Sequence, residues 1–146
     1  VLAGGPFLLC VGTIEPRKNH LLLLNLWRAW ATEERPPLLV LAGRRGWENE
    51  MVLDMLDRCP AVRAHVREFG DLTDAEVFAL MRGARALLMP SFAEGLGVPL
   101  LEAAAAGLPA IVADLPALRE VAAPGTVFLD PLDGPAWRRA IAAAAA

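Results

Sequence analysis

The chain has 146 residues, of which 55% are hydrophobic and 21% charged. This composition is typical of one packed globular domain and is too apolar for a disordered segment. Fourteen basic and seventeen acidic residues leave a net charge of −3 at pH 7, which argues against a nucleic-acid-binding protein. Two cysteines are too few for a disulfide framework, and no apolar run is long enough for a transmembrane segment. The sequence lacks an initiator Met and ends within an alanine-rich helical pattern, so we expect residues 1–146 to be one domain of a longer two-domain protein.

Short apolar runs alternate with amphipathic stretches, a pattern typical of parallel strands joined by crossover helices. Six strands are predicted, at residues 7–11, 38–42, 64–69, 86–89, 110–113 and 127–129. The predicted helices cover residues 20–32, 48–59, 74–82, 99–106 and 116–121, with a last helix capped by Asp133. This order predicts an α/β fold, namely a Rossmann-like, doubly wound parallel sheet of about six strands with helices on both faces. In such folds ligands bind at the carboxyl ends of the strands.

The loop after the first strand contains two adjacent cations, Arg17 and Lys18, followed by Asn19, the predicted N-cap of the first helix. Cations near the positive end of a helix dipole are unfavourable, which predicts a negatively charged partner in the same space. A bound phosphate group would be such a partner. In the alternative interpretation, Arg17 and Lys18 point into water and pair with Glu15.

The loop after the fourth strand contains Gly95 and Gly97, which allow backbone amides to approach a ligand closely. The helix that follows directs its free N–H groups toward the same edge of the sheet. Glu94 lies in this loop, and Glu102 lies on the helix among apolar residues, where a carboxylate needs a partner. We expect the two carboxylates about 10 Å apart, each accepting hydrogen bonds from hydroxyl groups of one elongated ligand. Alternatively, Glu94 only stabilises the helix N-terminus, and Glu102 is exposed or forms an ion pair.

The loop after the third strand offers a possible contact for a nucleotide base. Backbone groups around Leu72 are placed to contact the edge of a base, and Asp74 is able to accept a hydrogen bond from a guanine. In the alternative interpretation, which the residues themselves favour, helix capping and solvation account for the same positions. His20 and His65 show no metal-ligand spacing and the chain has no Asp-x-Asp motif, so no metal site is predicted.

These motifs resemble the carboxy-terminal half of the retaining glycosyltransferases of the GT-B fold, specifically the large family 4 (group 1) that includes many mannosyltransferases. The resemblance covers about residues 7–131. It rests on Gly-Thr-Ile-Glu-Pro-Arg-Lys-Asn at residues 12–19, on Pro-Ser and then Glu-Gly-Leu-Gly-Val-Pro within residues 90–99, and on two glutamates separated by seven residues. The resemblance implies that Lys18 neutralises the donor diphosphate, Glu94 holds hydroxyls of the transferred sugar and Glu102 binds the ribose. The other candidate donor-binding residues are Gly12, Thr13, Leu72, Asp74, Gly95, Leu96 and Gly97.

One position departs from the family pattern. Many members have an arginine directly after the glycine that ends the first strand, where this chain has Thr13. We assign the missing charge to Arg17, which makes Lys18, Glu94 and Arg17 the candidate catalytic residues.

The resemblance also implies a reaction, partners and a location. The reaction is a front-face displacement with retained configuration, without metal or cofactor, in which a hexose passes from a nucleoside diphosphate sugar to a glycan or lipid acceptor. GDP-mannose is favoured over a UDP-sugar as the donor. The acceptor site is expected in an amino-terminal domain outside this chain, so the domain is expected to be inactive alone. A cytoplasmic location is expected, with peripheral membrane association through the other domain left open.

Two alternatives remain at the level of sequence. The first is a Rossmann dehydrogenase domain, against which the loop after the first strand lacks the Gly-x-Gly-x-x-Gly fingerprint. The second is a non-catalytic nucleotide-binding or assembly module that uses the apolar first helix as an interaction face.

Overall fold

A computed structural model describes residues 5–146 of the chain. Six parallel strands form one sheet with the order β3-β2-β1-β4-β5-β6. The strands are β1 (Phe7–Val11), β2 (Leu38–Ala42), β3 (Val66–Phe69), β4 (Ala86–Met89), β5 (Ala110–Ala113) and β6 (Val127–Leu129). This is the Rossmann order: β2 and β3 are added on one side of β1, and β4, β5 and β6 on the other side. The predicted fold class is therefore confirmed, and its topology places the ligand crevice at the carboxyl ends of β1 and β4.

Seven α-helices are formed by the described residues. They are α1 (His20–Trp30), α2 (Glu50–Arg58), α3 (Pro60–His65), α4 (Asp74–Gly83), α5 (Val98–Ala105), α6 (Pro116–Val121) and α7 (Gly134–Ala145). A 3-10 turn at Pro16–Lys18 precedes α1. Within residues 5–146, none of the helices is both long and apolar enough to cross a membrane.

The predicted elements differ from the observed ones mainly between residues 58 and 66. Helix α3 was not predicted, and β3 begins at Val66 because residues 64 and 65 belong to this helix. The physical reason is Pro60, which forces Cys59 into an extended conformation (φ −82°, ψ 112°) and so ends α2. Proline is also favourable in the first turn of a helix, so the same residue starts α3.

Helix termini follow the capping signals in the sequence. The predicted capping box is present at α4, where the Thr73 hydroxyl accepts from the Glu76 amide at 3.2 Å and the Glu76 carboxylate accepts from the Thr73 amide at 3.1 Å. The Asp133 carboxylate accepts from the Ala136 amide at the start of α7. Helix α5 begins at Val98, one residue earlier than predicted, with Pro99 in its first turn. The Thr73 and Asp133 side chains thus satisfy helix amides that lack partners within the helix.

Both faces of the sheet are covered by helices. Leu8 and Cys10 of β1 face a core built from α1, α2, α3 and α7, which includes the fully buried Trp27. Phe7 and Leu9 face the opposite core, which is built from α4, α5 and α6. Burial on both faces explains why β1 is a continuous apolar run rather than an alternating one.

Candidate functional site

Two loops meet at the carboxyl edge of the sheet, and we call them the β1 loop (residues 12–19) and the β4 loop (residues 90–97). Lys18 Nζ donates to Glu94 Oε1 at 2.6 Å, and the Ser91 hydroxyl donates to the same oxygen at 2.8 Å. The side chains of Lys18 and Glu94 are only 11% and 5% exposed. Since a buried charge is costly without an opposite charge, each requires the other. The negative partner predicted for Lys18 is supplied, in this structure, by Glu94.

The Arg17 side chain is half exposed to solvent and also contacts the β4 loop. Its guanidinium forms an ion pair with Glu15 and donates to the Ala93 carbonyl at 3.2 Å. Its Nη1 lies 3.8 Å from Glu94 Oε2, while half of its side chain is exposed. The alternative of two solvent-facing cations is thus wrong for the largely buried Lys18, whereas the proposed pairing of Arg17 with Glu15 is confirmed. A cation half in water is able to turn toward an incoming anion.

Two glycines are required by the geometry of these loops. Gly12 has a φ of +134°, and a Cβ at this position would lie 3.3 Å from Cε of Lys18. Gly97 has a φ of +65° as the N-cap of α5, and a Cβ there would lie 3.0 Å from Cδ2 of Leu118. Glycine therefore gives the Lys18 stem its space and allows α5 to begin close to α6.

The middle of the β4 loop faces solvent. Gly95 and Leu96 are exposed, and a Cβ added at Gly95 would meet no atom within 4 Å. Packing does not require a glycine at Gly95, which agrees with the prediction that this loop leaves backbone amides accessible to a ligand.

Glu102 lies half-buried on α5. Among residues 5–146, no side chain forms a hydrogen bond or ion pair with its carboxylate. The ion-pair alternative for Glu102 is therefore wrong, and its carboxylate is available as an acceptor for hydroxyl groups.

Three other predicted donor-binding residues, Leu72, Asp74 and Thr13, form no hydrogen bond with the ion pair in the described part of the chain. Asp74 is the exposed first residue of α4, and Leu72 is half-buried beside a cavity of about 410 Å³ that Phe7 and Phe69 also line. Thr13 is exposed on the β1 loop. Among residues 5–146, no hydrogen bond connects Leu72 or Asp74 to Lys18 or Glu94. The structure thus brings Lys18, Glu94 and Arg17 together and leaves the predicted base contact at a separate loop.

Asn19 occupies the predicted N-cap position of α1 but does not cap it. Its φ of +59° and ψ of +38° are in the left-handed region, and its side chain makes no bond to a helix amide. Instead, its amide donates to the carbonyls of Pro90 and Pro131. The expected local cap is therefore replaced by two long-range hydrogen bonds, because packing brings these carbonyls within reach.

Sequence reasoning missed a neutral pair beneath the ion pair. His20 is 2% exposed, and its Nε2 lies 3.8 Å from Sγ of Cys10. Burial, assisted by the positive charge of Lys18, lowers the pKa of His20 to about 4, and burial raises the pKa of the Cys10 thiol to about 12. Both groups are therefore neutral near pH 7, and the charged side chains beside them are those of Lys18 and Glu94.

Ser91 was also missed as a site residue. A hydroxyl three residues before a carboxylate in one loop is a recognisable signal for a local hydrogen bond, and the Ser91–Glu94 contact has that spacing. Within the part of the chain that the structure describes, no group of three or more His, Cys, Asp or Glu side chains is arranged to hold a metal ion.

Comparisons with known proteins place this geometry in a family. The family model described as "Glycosyl transferases group 1" matches residues 3–144. The chain is 35% identical over 133 residues to O-antigen chain mannosyltransferase B of Escherichia coli. This match covers 90% of this chain and 35% of that protein. It is 30% identical over 138 residues to O-antigen chain mannosyltransferase RfbU of Salmonella typhimurium, with 92% and 37% covered.

The fold is shared with solved structures as well. Sucrose-phosphate synthase from Thermosynechococcus elongatus superposes with a TM-score of 0.79 at 24% identity, over 98% of this chain and 37% of that one. The chain therefore spans little more than a third of the length of these relatives. The dehydrogenase alternative is wrong, since the family model covers nearly all of the sequence. This protein belongs to the group 1 glycosyltransferases.

Proposed function

We propose that this domain binds the nucleoside diphosphate sugar donor of a retaining hexosyltransferase. The observation that carries the proposal is the buried Lys18–Glu94 ion pair, which joins the β1 and β4 loops at the carboxyl edge of the sheet. An ammonium group at this position is suited to diphosphate oxygens, and a carboxylate beside it is suited to sugar hydroxyls. The two groups come from different loops, since Lys18 lies in the β1 loop and Glu94 in the β4 loop.

The donor diphosphate needs positive charge, and this chain offers three sources of it. Lys18 lies in the β1 loop, Arg17 lies beside it with half its side chain in solvent, and α5 begins at the end of the β4 loop. The N-terminus of a helix attracts anions through its free N–H groups. We propose that these groups neutralise the leaving diphosphate in the role that a divalent cation takes in other transferases.

The proposed reaction keeps the configuration of the sugar. The bond between the anomeric carbon and the diphosphate oxygen breaks, and the acceptor hydroxyl oxygen forms a bond to the same face of that carbon. The hydroxyl proton passes to the departing diphosphate. Glu94 is assigned the role of holding sugar hydroxyls and Glu102 that of holding the ribose. Lys18 and Arg17 act by electrostatic stabilisation, with no protein nucleophile.

Mannose is the favoured sugar and GDP the favoured nucleoside diphosphate. Support for mannose comes from the relatives in Escherichia coli and Salmonella typhimurium, which are named as mannosyltransferases. Support for GDP comes from Asp74, an exposed carboxylate able to accept from the amino group of guanine. Because those relatives are about two and a half times as long as this chain, we propose that the acceptor is bound by a further domain and that this domain alone binds donor without transferring sugar.

Calorimetry with GDP, GDP-mannose, UDP and UDP-glucose tests the proposal directly. We expect GDP-mannose to bind, and Glu102→Ala to weaken binding about tenfold or more, because hydrogen bonds to a charged acceptor are lost. Glu120→Ala is the matched control, since Glu120 is an exposed glutamate on α6. Equal affinities for Glu102→Ala and the unchanged protein would overturn the ribose assignment. Binding of none of the four nucleotides would overturn the function and favour an assembly module.

A further inference from the structure

Asn19 lies where the 3-10 turn ends and α1 begins. Its backbone is in the left-handed region, with φ +59° and ψ +38°, and the residue is 7% exposed. Asparagine tolerates this conformation better than other residues with a side chain. Unlike glycine, it also brings a side-chain amide with two N–H donors. The turn therefore directs a buried pair of donors toward the interior of the loop cluster.

The amide connects two other loops of the same sheet edge. Asn19 Nδ2 donates to the carbonyl of Pro90 at 2.9 Å and to the carbonyl of Pro131 at 3.1 Å. Pro90 directly follows β4, and Pro131 lies two residues after β6. In the sheet, β4 is the neighbour of β1, whereas β6 is two strands further away. One side chain thus ties together the loops that follow β1, β4 and β6.

The same contact sits next to the ion pair. Lys18 is the residue before Asn19, and Glu94 lies four residues after Pro90. One further backbone bond joins the two loops, from the Phe92 amide to the Arg17 carbonyl at 2.8 Å. The 2.6 Å contact between Lys18 Nζ and Glu94 Oε1 is therefore supported by uncharged hydrogen bonds on both loops.

We infer that Asn19 is a positioning residue that holds Lys18 against Glu94 and thereby sets the affinity of the site for a nucleoside diphosphate. The second part of this inference rests on the proposed function. Both amide hydrogens of Asn19 are engaged by protein carbonyls, so neither is free to donate to diphosphate oxygens, and we assign the effect of the residue to Lys18 and Glu94. Without the amide, the two loops lose one of the hydrogen bonds that join them beside the ion pair, and the separation of its charges is less restricted.

A double-mutant cycle on stability tests the positioning role without any ligand. The variants are Asn19→Gly, which retains the left-handed backbone, Glu94→Gln and the combination of both. Urea unfolding is expected to show that Glu94→Gln changes the unfolding equilibrium constant at least about tenfold less in the Asn19→Gly background. Strict additivity of the two substitutions would overturn the inference. If Asn19→Gly does not fold, Asn19→Ala replaces it, because Ala lacks the two donors and adds no charge beside Glu94, and its backbone strain is common to both backgrounds of the cycle.

A second cycle measures binding of GDP, with UDP in parallel. Asn19→Gly is expected to weaken binding about tenfold in the otherwise unchanged protein, and by no more than about twofold when Lys18→Met is also present. An equal loss in both backgrounds would indicate general disruption and overturn the inference.

The control for these cycles is Trp27→Phe. It removes the indole N–H that donates to the Pro37 carbonyl near the other end of α1, and it is expected to leave the affinity for GDP unchanged. If the unchanged protein binds neither GDP nor UDP, the proposed function fails by itself. The unfolding cycle then decides the role of Asn19, with coupling supporting it and additivity overturning it.

Discussion

Replacing Lys18 by Met is expected to destabilise the fold because it leaves the Glu94 carboxylate buried without its cation. The two side chains are 11% and 5% exposed, and their charged atoms are 2.6 Å apart. Removing one partner of a buried pair typically costs about 3–5 kcal/mol. Ser91 still donates to Glu94, and Arg17 lies 3.8 Å from its other oxygen. We therefore expect a loss of about 2–4 kcal/mol, a large share of the stability of an ordinary domain.

Urea unfolding followed by tryptophan fluorescence is the suitable assay, because Trp27 and Trp137 are fully buried and report loss of the core. The matched control is Arg58→Met, which breaks the Arg58–Asp54 pair, whose side chains are 81% and 65% exposed. Screened pairs of this kind contribute little, so we expect almost no change. Lys18→Met combined with Glu94→Gln should recover part of the loss, since no buried charge then remains unpaired. Equal destabilisation by Lys18→Met and Arg58→Met would refute the reasoning.

Two further predictions concern the surroundings of the ion pair. Burial lowers the pKa of His20 to about 4. Between pH 6.5 and 4 the unfolded chain therefore binds a proton that the folded protein does not. As a result, the free energy of unfolding falls by about 3 kcal/mol as the pH falls through this range. Urea titrations across this range should show a smaller pH dependence for His20→Gln, and an identical dependence would contradict the assignment. Gly43→Ala should destabilise by about 1–3 kcal/mol, since its Cβ would lie 1.9 Å from the Gly12 carbonyl oxygen. Gly70→Ala, with no atom within 4 Å of the added Cβ, is the control in thermal unfolding. Equal unfolding midpoints for Gly43→Ala and Gly70→Ala would count against close packing between the segments that follow β1 and β2.

Local signals in the sequence predicted most elements of the fold. Apolar runs placed five of the six strands, all except β3, which contains Arg67 and Glu68. The Thr73–Glu76 capping box marked the start of α4 because its hydrogen bonds join residues three apart. The prediction was wrong at α3, where Pro60 separates two helices that hydrophobic periodicity alone reads as one helix and a longer strand. Periodicity describes which face is buried, whereas the dihedral angles of Cys59 decide where one helix ends.

The order of apolar and amphipathic segments was sufficient by itself to determine the parallel sheet, its crossover helices and the edge at which the charged loops gather, since each of these depends on local patterning and on the handedness of connections. The tertiary structure alone decided which polar groups are partners. Lys18 meets Glu94 across 76 positions of the chain, and Asn19 bonds to carbonyls 71 and 112 positions away instead of capping its own helix. A hydrogen-bonding side chain chooses among the acceptors that packing brings within about 3 Å, and that choice is made only when the strands are assembled.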